Sequence, residues 1–153
     1  YFGTVAHRFC AQAVAGYPIT VYGKGRQRKP FVGLEDAVEG LVRLAEIDPA
    51  DRPADLTVYN QVTRPISIVE LGTTIAEVAA EYDFEVAVEH FENPREEDET
   101  HQMEIDNDRY LDLIGGQSQT FEAGVRDILG KLVDHRERIE AHEDRFLPGV
   151  LQE

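Results

Sequence analysis

The chain has 153 residues, 42% of them hydrophobic, enough for one domain with a buried core. Thirty Asp and Glu outweigh fifteen Lys and Arg to give a formal charge of -15, a surface that repels the phosphate backbone of nucleic acid. No run of about 18 apolar residues and no basic-then-apolar leader occurs, so the expectation is a cytoplasmic protein without a membrane span.

Twelve of the fifteen cations are Arg, and only Lys24, Lys29 and Lys131 are Lys. Acid excess with scarce lysine resembles the proteins of salt-loving organisms, where dense carboxylates hold hydration in strong salt and repel one another when salt is withdrawn. The single cysteine, Cys10, excludes an intramolecular disulfide. Its apolar neighbourhood suits a buried thiol.

Val5, Phe9 and Ala13, with Cys10 beside them, are spaced as on an amphipathic helix over residues 3–15. GYPITVYG then turns into a short strand. Residues 21–31, VYGKGRQRKPF, hold four of the fifteen cations in a glycine-punctuated loop, a composition suited to an anion. Leu34, Val38, Leu41, Val42 and Ala45 form the apolar stripe of a second helix, whose start carries Glu35 and Asp36 where the helix dipole favours acid. Residues 48–55 read as a proline-rich loop and 56–62, LTVYNQV, as a strand. The Ser67-x-x-Glu70 pair is a capping box opening a third helix, and Leu71, Ile75, Val78, Ala79 and Tyr82 continue its buried face.

From Phe84 to Phe91 apolar and acidic residues alternate, as on a half-buried strand. Residues 92–106 lack periodicity and read as a loop. A short helix from about Asp106 stops at Gly115-Gly116. The last helix runs from Thr120 through Phe121, Val125, Ile128, Leu129, Leu132 and Ile139. Residues 1–142 are expected to form the folded portion and 143–153 to fray. Helices alternating with short strands indicate an α/β fold.

The series strand, glycine loop, Gln-containing basic segment, aromatic and acidic helix start in YPITVYGKGRQRKPFVGLEDAVEGLVRLAE resembles a segment of extended short-chain dehydrogenase/reductase enzymes. These are the NAD-dependent epimerase/dehydratase enzymes of nucleotide sugars, and the segment follows their catalytic half. FGTVAHRFCAQAVAGYPITVYGKG, YNQVTRPISIVELG and NPREEDETH are most similar to the UDP-sulfoquinovose synthase branch of that family, over about residues 2–130. The resemblance implies the carboxy-terminal, substrate-binding portion of a Rossmann-type enzyme that joins UDP-glucose and sulfite. A UDP-glucose 4-epimerase fragment, a UDP-glucuronate decarboxylase fragment and a non-catalytic nucleotide-sugar binding module are the alternatives.

Two signatures of a complete enzyme are missing: no Gly-x-x-Gly-x-x-Gly occurs, and no Tyr has Lys four residues on. The resemblance therefore implies that the catalytic groups and the main NAD site lie upstream, and that this chain alone is inactive. Its implied partners are a UDP-sugar, the upstream dinucleotide-binding half of the same enzyme and, as a homodimer, a second copy.

The resemblance implies UDP-sugar contacts at Thr4, with His7 nearby, at Val21 and Tyr22, and at Arg26, Gln27, Arg28 and Lys29 of the basic loop. Gln27 matches the glutamine of the family's Gln-x-Arg, whereas Lys29 stands where the arginine falls. A lysine cannot reproduce the bidentate guanidinium fork, so Arg26 or Arg28 is the alternative contact. In NPREEDETH, Arg95 is implied to reach the pyrophosphate from the opposite side, Asp98 to bind ribose hydroxyls and His101 to line the sugar pocket. His90 and His101 flank an acidic run, but their spacing matches no metal motif, and no metal site is expected.

Overall fold

Three helices and a parallel strand pair build the core. The computed structural model describes residues 4–52, 56–92, 103–116 and 119–151. In chain order the elements are α1 (Val5–Val14), β1 (Ile19–Tyr22), β2 (Arg28–Phe31), α2 (Leu34–Glu46), β3 (Arg64–Ser67) and α3 (Ile68–Ala80). There follow β4 (Val88–Phe91), α4 (Asp108–Ile114), α5 (Phe121–Val133), α6 (Arg136–Glu140) and two single 3-10 turns, Glu143–Arg145 and Gly149–Leu151.

β1 pairs in parallel with β4, from Ile19 opposite Val88 to Tyr22 opposite Phe91. β2 pairs antiparallel with β3, from Arg28 opposite Ser67 to Phe31 opposite Arg64. α1, α3 and α5 pack on one another, with α1 and α3 also against β1. Phe9, Val14, Ile19, Val21, Leu71, Ile75 and Leu129 are wholly buried between them. One polar pair is sealed in this core: the Gln12 amide donates to Thr20 Oγ1 at 3.0 Å, and the Thr20 N–H reaches Gln12 Oε1 at 3.4 Å. Each satisfies the other, which is what a buried polar group requires. Cys10 is buried in the hydrophobic core, and burial pushes its thiol pKa up to about 12, so it is a packing residue.

Local signals act as expected at several boundaries. The Ser67 side chain accepts from the Glu70 N–H at 3.2 Å while Glu70 reaches back to the Ser67 N–H, closing the capping box of α3. Gly115 ends α4 in a left-handed conformation, φ 74°. No helix among the described residues is long and apolar enough to cross a membrane.

Elsewhere the structure departs from expectation. Residues 56–62 form no strand, and the strand lies at β3, whose partner β2 falls inside the expected basic loop. Only the last four residues of the expected strand at 84–91 pair, matching the four residues of β1. The last helix breaks after Val133, so Ile139 belongs to α6. The tail expected to fray instead returns to α1: Phe146 and Leu147 are buried against Ala11, and Tyr17 Oη donates to Glu143 at 2.6 Å. The largest departure is α2. Its apolar stripe faces outward instead of covering the core, with Leu34 80% and Leu41 60% exposed.

Candidate functional site

β1 ends at Tyr22 and the chain turns through Gly23 and Gly25, both left-handed at φ 65° and 64°. At Gly25 only glycine fits: a Cβ there would lie 2.6 Å from Val21 Cγ1 and 3.1 Å from the Val69 amide nitrogen. The turn aims carbonyls at the start of α3, where the Val69 N–H donates to Gly25 O at 3.0 Å and the Ile68 N–H to Gln27 O at 3.3 Å. These donors, left over at any helix start, are thus consumed inside the protein. The loop offers an anion its side chains, and α3 offers it no free first turn.

Because β1 and β4 are parallel, their carboxyl ends lie side by side. The Gly23 N–H donates to Phe91 O at 2.8 Å, and His90 Nδ1 lies 2.8 Å from Gly23 O. The chain therefore leaves β4 beside the basic loop, the arrangement in which α/β folds collect binding loops.

Arg26 and Lys29 are exposed, and neither has an ion pair among the described residues. Arg28 is turned away: its guanidinium donates to the Pro65 carbonyl across the β2–β3 ladder. Val21 is wholly buried. Its side chain belongs to the core, so any contact from this position comes from its backbone. Tyr22 is half-buried at the strand's end, and Thr4 precedes α1 with its hydroxyl 2.8 Å from His7 Nδ1. Arg95, Asp98 and His101 lie outside the described residues.

Among the described residues the buried Gln27 Oε1 has no hydrogen-bond partner, and neither has the buried Arg8 Nε. Arg8 lies 5.3 Å from the Phe9 ring centroid. Burial pulls its guanidinium below the ordinary pKa, and Tyr22 opposes that shift. A buried polar atom left unpaired is costly, and a polar ligand would relieve it. Sequence reading picked out Gln27 and missed Arg8, whose only signal was its place one helical turn after Thr4.

Among the described residues, the Gly23 N–H is spent on Phe91 and the Ile68 and Val69 N–H groups on Gln27 and Gly25, so the start of α3 offers no free donors beside the glycine loop for a dinucleotide's pyrophosphate. No step through NAD is assigned to this chain. Among the described residues no group of three His, Cys, Asp or Glu could hold a metal ion.

No family model matches the chain. It is 29% identical over 147 residues to UDP-sulfoquinovose synthase of Sulfolobus acidocaldarius, covering 96% of this chain and 37% of that protein. It is 31% identical over 138 residues to UDP-glucuronic acid decarboxylase 4 of Arabidopsis thaliana, covering 90% of this chain and 28% of that one. Among solved structures, the UDP-glucuronic acid 4-epimerase of Bacillus cereus in complex with NAD superimposes with a TM-score of 0.61 at 20% identity, covering 85% of this chain and 40% of the epimerase. The chain thus spans well under half the length of the proteins it matches.

Proposed function

Starting from homology to UDP-sulfoquinovose synthase and UDP-glucuronic acid decarboxylases, and from the fold of extended short-chain dehydrogenase/reductase epimerases, we propose that the chain is the UDP-sugar-binding portion of an NAD-dependent nucleotide-sugar enzyme. The observation that carries the reading is the loop of Arg26, Gln27 and Lys29 held by two left-handed glycines at the carboxyl end of β1, beside the exit of β4. Exposed cations supply charge-assisted hydrogen bonds to a pyrophosphate. Arg95, which follows β4 in sequence, is the second cation of the proposed grip. NAD, held upstream, supplies hydride chemistry. This portion positions the sugar by binding its remote nucleotide.

The preferred substrate pair is UDP-glucose with sulfite, since the match to the synthase runs through 96% of the chain. The second reading is UDP-glucuronate decarboxylation, favoured by the 31% identity to the plant decarboxylase. Supplying each substrate set to the full-length polypeptide separates them: one forms a sulfonated UDP-sugar, the other releases carbon dioxide.

Calorimetric titration of the full-length polypeptide with UDP-glucose tests the grip. Lys29→Ala and Arg95→Ala are each expected to weaken binding about ten- to hundredfold, the loss of one charged hydrogen bond. Lys131→Ala, on α5 and paired with Asp127 at 2.6 Å, is expected to leave affinity unchanged. Equal affinity in all three variants and the wild type sinks the proposal. The 153-residue chain alone is expected to bind no NAD, and micromolar affinity in the same instrument would place a cofactor site here after all.

A further inference from the structure

The basic loop is held at both ends, and the two ends are held differently. From Gly25 onward it is tied by backbone: the Val69 and Ile68 N–H groups of α3 donate to Gly25 O and Gln27 O, and β2 then pairs with β3. At its near end it hangs on β4. The Gly23 N–H donates to Phe91 O at 2.8 Å, and the Gly23 carbonyl meets a side chain, His90 Nδ1, at 2.8 Å. Gly23 is left-handed, φ 65°, and as a glycine it has no Cβ to restrict the rotation that carries its carbonyl. The bond to Phe91 fixes the N–H side of this residue and leaves the carbonyl side to His90. Because a peptide is planar, whatever fixes that carbonyl also fixes the plane joining Gly23 to Lys24, the first step of the chain toward Arg26 and Lys29. His90 is itself placed by the strand, standing opposite Val21 in the β1–β4 ladder with Phe91 opposite Tyr22.

We infer that His90 is the positioning residue of the basic loop: its Nδ1–H clasps the Gly23 carbonyl and so sets the direction in which Arg26 and Lys29 are presented to an anionic ligand. The inference deepens the reading of the loop as part of a UDP-sugar grip and rests on it. A carbonyl oxygen only accepts, so the ring carries a proton on Nδ1, and in its neutral form Nε2 is the bare nitrogen. His90 is exposed, so this bond seals no core. What it restricts is a glycine hinge. A loop already held in its binding geometry loses less freedom when the ligand arrives, and preorganisation of that kind is read in affinity. The effect of His90 therefore passes through the cations that the loop carries, Lys29 among them.

The test uses the full-length polypeptide and two substitutions that set hydrogen bonding against strand propensity. His90→Phe keeps a ring and favours a strand but has no donor, whereas His90→Asn disfavours a strand and keeps an amide donor near the place of Nδ1. Calorimetric titration with UDP-glucose is expected to show affinity about three- to tenfold weaker in His90→Phe, the loss of one neutral hydrogen bond, and within about twofold of wild type in His90→Asn. Lys29→Ala is expected to weaken binding by a factor about threefold smaller in the His90→Phe background than in wild type, since a cation on a loose loop has less to lose. Without ligand, nitrogen NMR of the ring is expected to show a proton on Nδ1. Amide hydrogen exchange at residues 23–25 is expected to be about tenfold faster in His90→Phe and unchanged in His90→Asn. Wild-type affinity in His90→Phe, equal weakening in the two variants, or a Lys29→Ala effect of the same size in both backgrounds overturns the inference. So does a ring whose Nδ1 is bare, or exchange that ignores both substitutions. A wild type that binds no UDP-glucose removes the substrate reading, and the ring proton and the exchange rates then decide the clasp on their own.

Discussion

α2 and α3 are both thirteen residues long and both carry an apolar stripe, yet α3 buries its stripe and α2 exposes it. α3 presses Leu71, Ile75, Val78 and Ala79 into the core beside α1 and α5. α2 is attached by its other side, through Asp36 and Gly40. There Tyr110 Oη donates to Asp36 O at 2.6 Å and the Gln61 side chain donates to Ala37 O at 3.2 Å. A Cβ on Gly40 would lie 2.6 Å from the Tyr110 ring, so the helix sits tightly on that seam. A periodic stripe thus tells which face of a helix seeks cover, and the partner that covers it is set elsewhere.

The largest expected contrast comes from truncating one leucine on each helix. Leu71→Ala opens a cavity in a sealed core and is expected to cost about 2 to 5 kcal/mol. Leu41→Ala, in the same 153-residue chain, is expected to stay within about 0.5 kcal/mol. Urea denaturation of the two variants measures both, and equal losses would erase the distinction between the helices.

Next in size is Gly25→Ala, which strains a left-handed residue and drives a methyl into Val21 and the first turn of α3. A loss of about 2 kcal/mol is expected in the same denaturation series. An unchanged urea midpoint would mean that the loop is not seated on α3. Ser67→Ala removes half of the α3 capping box and is expected to cost about 1 kcal/mol. The reverse change belongs to α2, whose N-cap is Gly33 with no side-chain bond. Gly33→Ser has room, its nearest neighbours lying 3.8 Å and 4.0 Å from the new Cβ, and is expected to gain a few tenths of a kcal/mol by thermal melting.

A pH effect arises at the carboxyl end of α3. At the end of α3, Arg126 donates twice to Glu81 at 2.6 Å, which holds the Glu81 pKa below the usual carboxylate range. A depressed acid contributes stability above its unfolded pKa and loses it as pH falls through the lowered folded value. Wild type is therefore expected to melt slightly above Glu81→Gln at pH 7, with the two curves converging in acid. A gap that widened toward low pH would reverse the assigned shift.

Much of the core was legible because its signals are local or periodic. The capping box needs only Ser67 and Glu70, and the stripes of α1, α3 and α5 repeat within single segments. β2 was hidden because Arg28, Lys29 and Pro30 are all exposed and show no alternation. Its strand character comes from a partner more than thirty residues away. Residues 56–62 show the opposite case, in which strand propensity without a neighbouring strand yields no strand. In the site, glycines and cations announced the basic loop, but the use of Arg28 on Pro65 and the burial of Arg8 depend on packing that no short motif encodes.

The Tyr17–Glu143 hydrogen bond joins residues 126 apart in sequence. Such a contact waits on the placement of nearly all the intervening chain, since closing so long a loop is entropically unfavourable until other contacts have formed. The closing turns that carry Phe146 and Leu147 onto α1 are therefore expected to join in the last step of folding. They act as a latch on the rate of unfolding: Phe146→Ala should leave the refolding rate nearly unchanged in stopped-flow experiments while the native chain opens faster.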